Sequence, residues 1–519
     1  MIVNEPALPI DDIQGDILAG FRKDHVRLVF FQFADSSTKS VKRWLASYVR
    51  NLATTRQVAG YNAVFRSMRL QMQREPVEMS VLWRNIAFTS IGLGKLVGPA
   101  EINKFADASF IAGAEALSTT IGDPSDGSPG DARNWIIGSR ANIPDGLVIL
   151  AADSKDLVDR EATALCSQIT SFSSTAPHVE IGETRRSDPG HEHFGYKDGI
   201  SQPGIRGKNL DGSYFTTRYL DASDPHALYY AAPGQPLVWP GEFLLNQPKQ
   251  KGANADPLQW KTTTDGPPWA TNGSYLVFRR LRQDVAGFNA TVTAVHAALS
   301  RDAAFSGISL DLVGAMLVGR FKSGCPIMRS VSDDTALAND VYASNQFFFF
   351  SDTPVFSILP NPIVLSDTFP SAKADLLGER CPLGAHIRKV NPRDENTDDG
   401  NGSNNLQHRI LRRGIPYGPE FDPASPDNSD RGLLFLCYQG SIVNQFQFLM
   451  QDWVNGNDAP RPTSGFDPVI SPASRGTFYA RRPDGTILSV ALPAPVVSST
   501  GSAFLFAPSI STIENLLAV

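Results

Sequence analysis

Residues 26–33 read VRLVFFQF, and the stretch behind them carries apolar side chains at Val41, Trp44, Leu45, Tyr48, Val49 and Leu52. The first stretch is dense in β-branched and aromatic residues and reads as a buried strand. In the second, the apolar positions fall at i, i+3, i+4, i+7, i+8 and i+11, one face of a helix that Ser37 or Ser40 can cap. The same order returns along the chain. Residues 79–90 (MSVLWRNIAFTS) read as strand and 92–96 (GLGKL) turn into helix. Residues 273–281 (GSYLVFRRL) read as strand, and Asp284 can cap a helix bearing Val285, Phe288, Val292, Val295 and Leu299. Residues 433–439 (LLFLCYQ) are a further strong strand, after which Ile442, Phe446, Leu449, Met450 and Trp453 share a helix face. This order implies an α+β chain of two halves with antiparallel β-sheets flanked by helices, and not a regularly alternating α/β fold.

Between these elements, residues 203–271 are rich in Gly, Pro, Asp and Trp and read as long surface loops joining the halves. Residues 389–407 (KVNPRDENTDDGNGSNNLQ) form a strongly polar loop with Asp394, Glu395, Asp398 and Asp399 close together.

Composition excludes several classes. The 519 residues carry 47 basic and 53 acidic side chains, a formal net charge of -6, and no cluster of Lys and Arg, which argues against nucleic-acid binding. No run of about 18 apolar residues signals a membrane helix. Residues 1–12 lack the charged and apolar regions of a signal peptide, so the chain is either cytoplasmic or a mature form whose leader has been removed. Cys166, Cys325, Cys381 and Cys437 stand far apart, excluding a zinc ribbon or disulfide scaffold and suggesting buried thiols.

The histidines divide. His25 opens a strand, His296 lies in a helix, and His178 and His226 fall in loops, all without a chemical signal. His191 and His193 lie two apart with no third ligand signalled, which disfavours zinc. His408 opens a strand-like piece and reads as solvated. His386 sits in CPLGAHIRKVNPRD (381–394), followed by Arg388, Lys389 and Arg393: either a basic surface loop or a metal-ligating imidazole beside cations for carboxylates, as a haem with two propionates requires. Asp198 lies in GYKDGIS (195–201), where flanking glycines permit an ordinary turn or a close backbone approach to a flat ligand. In RILRRGIPYG (409–418), alternation sends Arg412 and Arg413 to opposite faces, so one points inward, where it demands an anion or a polarised ligand.

Taken in order, GYKDGIS, CPLGAHIRKVNPRD and RILRRGIPYG resemble the diagnostic set of the dye-decolorizing peroxidases, in their long fungal form. IQGDILAGF (13–21), IAFTSIGLGKL (86–96), GEFLL (241–245), YLVFRRLRQDV (275–285) and LVGRFKSGCP (317–326) extend the resemblance over nearly the whole chain. It implies two ferredoxin-like domains in a dimeric α+β barrel-like arrangement: residues 1–205 with the distal Asp, and 206–519 binding one haem b. It further implies His386 as the axial iron ligand, Asp467 as its carboxylate partner and Arg388 as a propionate-binding cation. Asp198 and Arg412 are then the distal acid–base couple, with Leu433 and Phe435 lining the pocket. Of the two arginines, Arg412 is chosen because it lies five residues before the Tyr of the YG pair.

By the same resemblance, electrons from bulky dyes reach the haem through surface aromatics, with Tyr417 and Trp453 as candidates; a core role for Trp453 stands beside this. The acidic loop at Asp394, Glu395, Asp398 and Asp399 suits Mn²⁺ or is simply solvated. The implied activity is reduction of H₂O₂ coupled to one-electron oxidation of phenols, dyes, bulky apolar molecules or Mn²⁺, by a secreted enzyme. A non-catalytic haem-binding or haem-transfer protein of the same fold is the rival. Monomer and homodimer stay equally open.

Overall fold

The computed structural model describes residues 4–519 except 73–78, 174, 253, 355, 360–368 and 473–475. Its centre is an antiparallel sheet of nine described strands. These are β1 (His25–Phe31), β2 (Leu82–Phe88), β3 (Gly146–Ala152), β4 (His178–Glu183), β5 (Ser274–Gln283), β6 (Leu411–Arg412), β7 (Ile415–Tyr417), β8 (Gly432–Gln439) and β9 (Val497–Ala507). They run in the order β6-β8-β5-β9-β2-β3-β1-β4, with β7 also on β8. Two groups of strands therefore meet, β2-β3-β1-β4 from the first part of the chain and the rest from the last. Their seam is one paired position, Phe88 against Phe506. The sheet curls until β4 lies against β7, where a Cβ on Gly182 would fall 2.4 Å from Ile415 Cγ2; only glycine lets the two ends close.

Strand alternation divides the core. One set of side chains, including Leu28, Phe30, Ile149, Leu276, Phe278, Leu434 and Leu436, fills the inside of the barrel. The other set, including Val29, Phe31, Val148, Val277 and Phe504, packs under helices. Of the helices α1 (Thr38–Tyr48), α2 (Thr55–Met72), α3 (Lys155–Thr170), α4 (Val285–Leu299) and α5 (Leu310–Val318), α1 and α3 cover this set, α2 adds Val58 to the inner one, and α4 and α5 pack together in a separate cluster through Val295, Leu299, Val313 and Leu317. All six apolar positions read as the face of α1 are buried, with its end continued by a tight turn at Val49–Asn51. Asp284 caps α4 by accepting from Gly287 N. Cys325, Cys381 and Cys437 are buried as expected, Cys166 on α3 is only partly buried, and no thiol is paired.

Several expectations need correction. Neither Ser37 nor Ser40 caps α1, because a 3₁₀ turn over Asp35–Ser37 runs straight into the helix. His178 opens β4 and bonds Glu180, so it is not in a loop. Residues 203–271 are mostly irregular but not superficial: Trp239 is fully buried within the segment, and Phe243, Leu244 and Leu245 are fully buried in the clusters that line the sheet. The helix after β8 is wound loosely, as π-helical segments Val443–Gln447 and Leu449–Val454 with i→i+5 bonds such as Gln447 N to Ile442 O. The extra residue per turn splits the expected single face.

Phe31, the last residue of β1, is 2% exposed and touches the rings of Phe33, Trp44, Phe88 and Phe172. Phe31→Ala is expected to cost about 3–5 kcal/mol in chemical denaturation, since strand and helix cannot close over so large a void.

Candidate active site

The sequence motifs converge on one cavity of about 280 Å³ on the helix-covered face of β5, β8 and β9. Leu433 and Phe435 of β8, alternate residues on one face, lie on its wall beside Leu281 of β5. Phe446, Leu449, Met450 and Val454 of the π-helical segments complete the apolar lining.

Asp198 reaches this cavity from a turn whose Gly195 and Gly199 sit at φ +89° and +77°. A Cβ built on Gly199 would meet no protein atom within 4 Å, and the residue lines the cavity; its positive φ is what favours glycine there. Asp198 Oδ1 accepts from Gly199 N at 2.6 Å and from Arg412 Nη1, while Oδ2 takes no hydrogen bond from the described residues. The carboxylate is 35% exposed, into the cavity. Burial would raise its pKa, but the Arg412 charge and hydrogen bond outweigh that and hold it below the usual carboxylate value. Gln202 brackets the Arg412 backbone, accepting from its N and donating to its O. Arg413 turns the other way, to the carbonyls of Asp16, Ile17 and Leu18. Alternation therefore sorts the two arginines as read.

His386 begins a single helical turn, α6 (His386–Lys389), and lines the cavity. Its Nδ1 bonds Asp467 Oδ2 at 2.8 Å, and Asp467 Oδ1 accepts from Val469 N and Ile470 N. Asp467 is fully buried; burial opposes its charge, but His386 and the two amides bring its pKa below the ordinary value. For His386, burial disfavours the imidazolium, yet Asp467 raises its pKa on balance. With Asp467 ionised, the ring proton sits on Nδ1 and Nε2 offers its lone pair, with no partner among the described residues.

Other residues lie elsewhere than expected. Arg388 is 1% exposed and does not line the cavity. It donates to Glu395 and Asp375, to the carbonyls of Cys381 and Asp375, and packs on Phe349. Every donor is engaged away from the cavity, which contradicts a propionate contact. Arg320, Arg393 and Arg409 do line the cavity beside Arg412, as do Lys197 and Arg279, the latter paired with Asp123; of the first three, sequence reasoning singled out Arg393 alone. Arg320 stands inside LVGRFKSGCP, where the motif itself was the available signal.

Tyr417 and Trp453 are 4% and 1% exposed, so neither is a surface aromatic. The Tyr417 hydroxyl joins Arg280 and Asp430, and Trp453 Nε1 donates to Asp398. The four carboxylates of the acidic loop likewise point apart. Asp394 accepts from the backbone at Phe349, Phe350 and Ser351, Glu395 binds Arg388 and Arg461, and Asp399 binds His408 and Asn404. Among the described residues no group of three or more His, Cys, Asp or Glu is placed to hold a metal ion, so no Mn²⁺ cluster forms here, nor a zinc site at His191 and His193. His408 is not solvated: it is buried on the cavity wall, stacked on Phe448 with centroids 3.9 Å apart and bonded to Asn444 O and Asp399.

Known proteins agree with this arrangement. The DyP dimeric alpha+beta barrel domain matches residues 12–185 and the Dyp-type peroxidase C-terminal domain matches 317–481. Dye-decolorizing peroxidase msp1 of Mycetinis scorodonius is 34% identical over 99% of this chain and 88% of its own. The chain belongs to the dye-decolorizing peroxidase family. It is thus a peroxidase, an oxidoreductase acting on peroxide. Dye-decolorizing peroxidase AauDyP1 of Auricularia auricula-judae is 31% identical over 98% of this chain and 87% of its own. An ancestral D-type dye-decolorizing peroxidase superposes with a TM-score of 0.75 at 30% identity, covering 99% of this chain and 100% of that one. A dye-decolorizing peroxidase in complex with 2,6-dimethoxyphenol gives 0.72 at 28% identity, with the same coverage. No helix of the described residues is long and apolar enough to cross a membrane.

Haem is the cofactor of this family, and the residues present fit it. His386 Nε2 offers an unshared donor at an apolar cavity. Arg320 Nη2 is buried without a partner, and the Arg409 guanidinium, 9% exposed, meets no acceptor among the described residues. Two unanswered cations at a cavity wall ask for carboxylates, which a haem carries.

Arg388→Met and Arg409→Met should separate the two kinds of arginine. The first leaves Glu395 and Asp375 buried with a lost partner and is expected to lower haem-free stability by about 3–5 kcal/mol in urea. The second is expected to change that stability by less than about 1 kcal/mol while speeding haem loss to a competing apoprotein.

Proposed function

We propose that the chain is a haem b peroxidase that uses H₂O₂ to oxidise phenols and dyes in one-electron steps. One observation carries the reading: Asp198 paired with Arg412, and His386 backed by Asp467, face a single cavity. In this reading residues 1–205 supply the carboxylate Asp198, and 206–519 supply most of the cavity and the imidazole that would hold the haem iron.

When bound, haem supplies the store of oxidising equivalents that peroxide fills and reductants empty one electron at a time. His386 Nε2 would hold its iron, and Arg320 and Arg409 would meet its propionates. Heterolytic cleavage of peroxide moves one proton from the near oxygen to the leaving oxygen, and Asp198 Oδ2 is the free basic atom for that transfer. Arg412 does two things at once. It keeps Asp198 ionised in a partly desolvated place, and its guanidinium stabilises the charge that grows on the leaving oxygen. Leu433 and Phe435 keep the site apolar, so these charges act at low dielectric. Asp467 fixes the His386 tautomer and strengthens it as a donor.

The haem-carrier reading has no need of Asp198 and Arg412, and relatives matching nearly the full length are named as peroxidases. Phenols enter the proposal because a related structure holds 2,6-dimethoxyphenol. Mn²⁺ is left out, since the acidic loop spends its carboxylates on protein donors. The fungal relatives favour a secreted enzyme.

Asp198→Asn is expected to keep haem while kcat/KM for H₂O₂ falls by about 10²–10⁴ in stopped-flow measurements; a near-normal value would remove Asp198 from the mechanism. Arg412→Leu has a signed pH effect. Arg412 lowers the Asp198 pKa and activity needs the ionised form, so losing it raises that pKa and moves the acid limb of kcat/KM to higher pH. His386→Ala should lose haem on gel filtration; an unchanged Soret band would refute the axial assignment.

A further inference from the structure

Lys389 lies three residues after His386 on α6 and is fully buried. No carboxylate stands within ion-pair distance of it among the described residues. Its three N–H donors are spent on three main-chain carbonyls, those of Gly456 at 2.6 Å, Ala459 at 2.5 Å and Gly465. A buried ammonium with this acceptor set has its full donor capacity used, and a neutral side chain in its place would orphan up to three carbonyls.

All three carbonyls belong to the loop that leaves the second π-helical segment and ends at Asp467. Two backbone bonds shape the same loop, Gly465 N to Asn457 O at 2.8 Å and Asp467 N to Val454 O at 3.0 Å. One helical turn thus grips the loop at two places. His386 holds the side chain of Asp467, and Lys389 holds the backbone that delivers it. Burial pushes the Lys389 pKa down to about 8, against which Asp467, Asp398 and Asp458 favour the charged form.

We propose that Lys389 is the positioning residue of the His386–Asp467 couple, fixing through carbonyls 456, 459 and 465 how Asp467 meets His386 Nδ1. This rests on reading His386 as the axial ligand of haem iron. Asp467 can polarise the imidazole only if its Oδ2 stays in line with the Nδ1–H bond, and hydrogen bonds weaken steeply off that line. Lys389 therefore sets how strongly His386 donates, without touching cofactor or substrate.

The test uses ferrous holoenzyme and reads the iron–histidine stretch by resonance Raman for wild type, Lys389→Met, Asp467→Asn and the double variant. Asp467→Asn is expected to lower the stretch, Lys389→Met to lower it part of the way, and the double variant to match Asp467→Asn alone. A lowered stretch in Asp467→Asn with none in Lys389→Met overturns the role of Lys389. Additive shifts overturn it too, since they place Lys389 and Asp467 on separate routes. No change in Asp467→Asn overturns the axial reading beneath it. Hydrogen exchange of the holoenzyme gives a second readout that needs no spectrum of iron. Amides of 456–467 should exchange roughly tenfold faster in Lys389→Met with the β-sheet unchanged, and unchanged exchange there would also overturn the proposal.

Discussion

The hydrogen bond from His386 Nδ1 to Asp467 Oδ2 is the tie on which the site depends. It joins a one-turn helix to a loop 81 residues further on, in a place where neither group would stand alone. A buried carboxylate without a partner would protonate, and a buried imidazole without an acceptor would be free to choose its tautomer. Together each removes the other's freedom. Asp467 stays ionised because His386 and two backbone amides answer it, and His386 keeps its proton on Nδ1 because Asp467 takes it there. The lone pair on Nε2 is the consequence, aimed at an apolar cavity.

The same cavity shows how charge is kept in a low-dielectric wall. Arg320, Arg393, Arg409 and Arg412 all line it, while Asp198 is the carboxylate that meets one of them directly. A protein left in that state holds more positive charge than it neutralises, and burial lowers the pKa of Arg320 and Arg409 to about 10. A dianionic ligand resolves this imbalance. Arg412 differs from the other three because its charge is answered by Asp198, which is why it is the cation available for proton chemistry at the distal carboxylate.

Much of this was legible in the chain. The alternation of LLFLCYQ assigns Leu433 and Phe435 to one face, and the structure puts both on the cavity; the alternation at Arg412 and Arg413 sorts those two as well. Local periodicity suffices there because each residue's direction is set by its own strand. It fails where the partner is distant. His408 looks solvated until Phe448 and Asp399 close over it, and residues 203–271 look like surface until Phe243 and Leu244 are seen in the core beside the sheet. For Trp453 the core role is the one the structure bears out: it is 1% exposed, and the π-helical winding sets its indole on Asp398.

The run HIRKVNPRD makes the limit plain. Its basic residues look alike in sequence, and the expectation was a cluster of cations beside one ligand. A helical turn instead spreads positions i, i+2 and i+3 by about 100° per residue, so they point in three directions. His386 faces the cavity, Arg388 is driven inward to Glu395 and Asp375, and Lys389 turns to the carbonyls of the 456–465 loop. Arg393 returns to the cavity only after the turn has ended, at a positive φ of 54°. Charge type told what these residues need; the helix decided which of them meets the cofactor, the core and the loop.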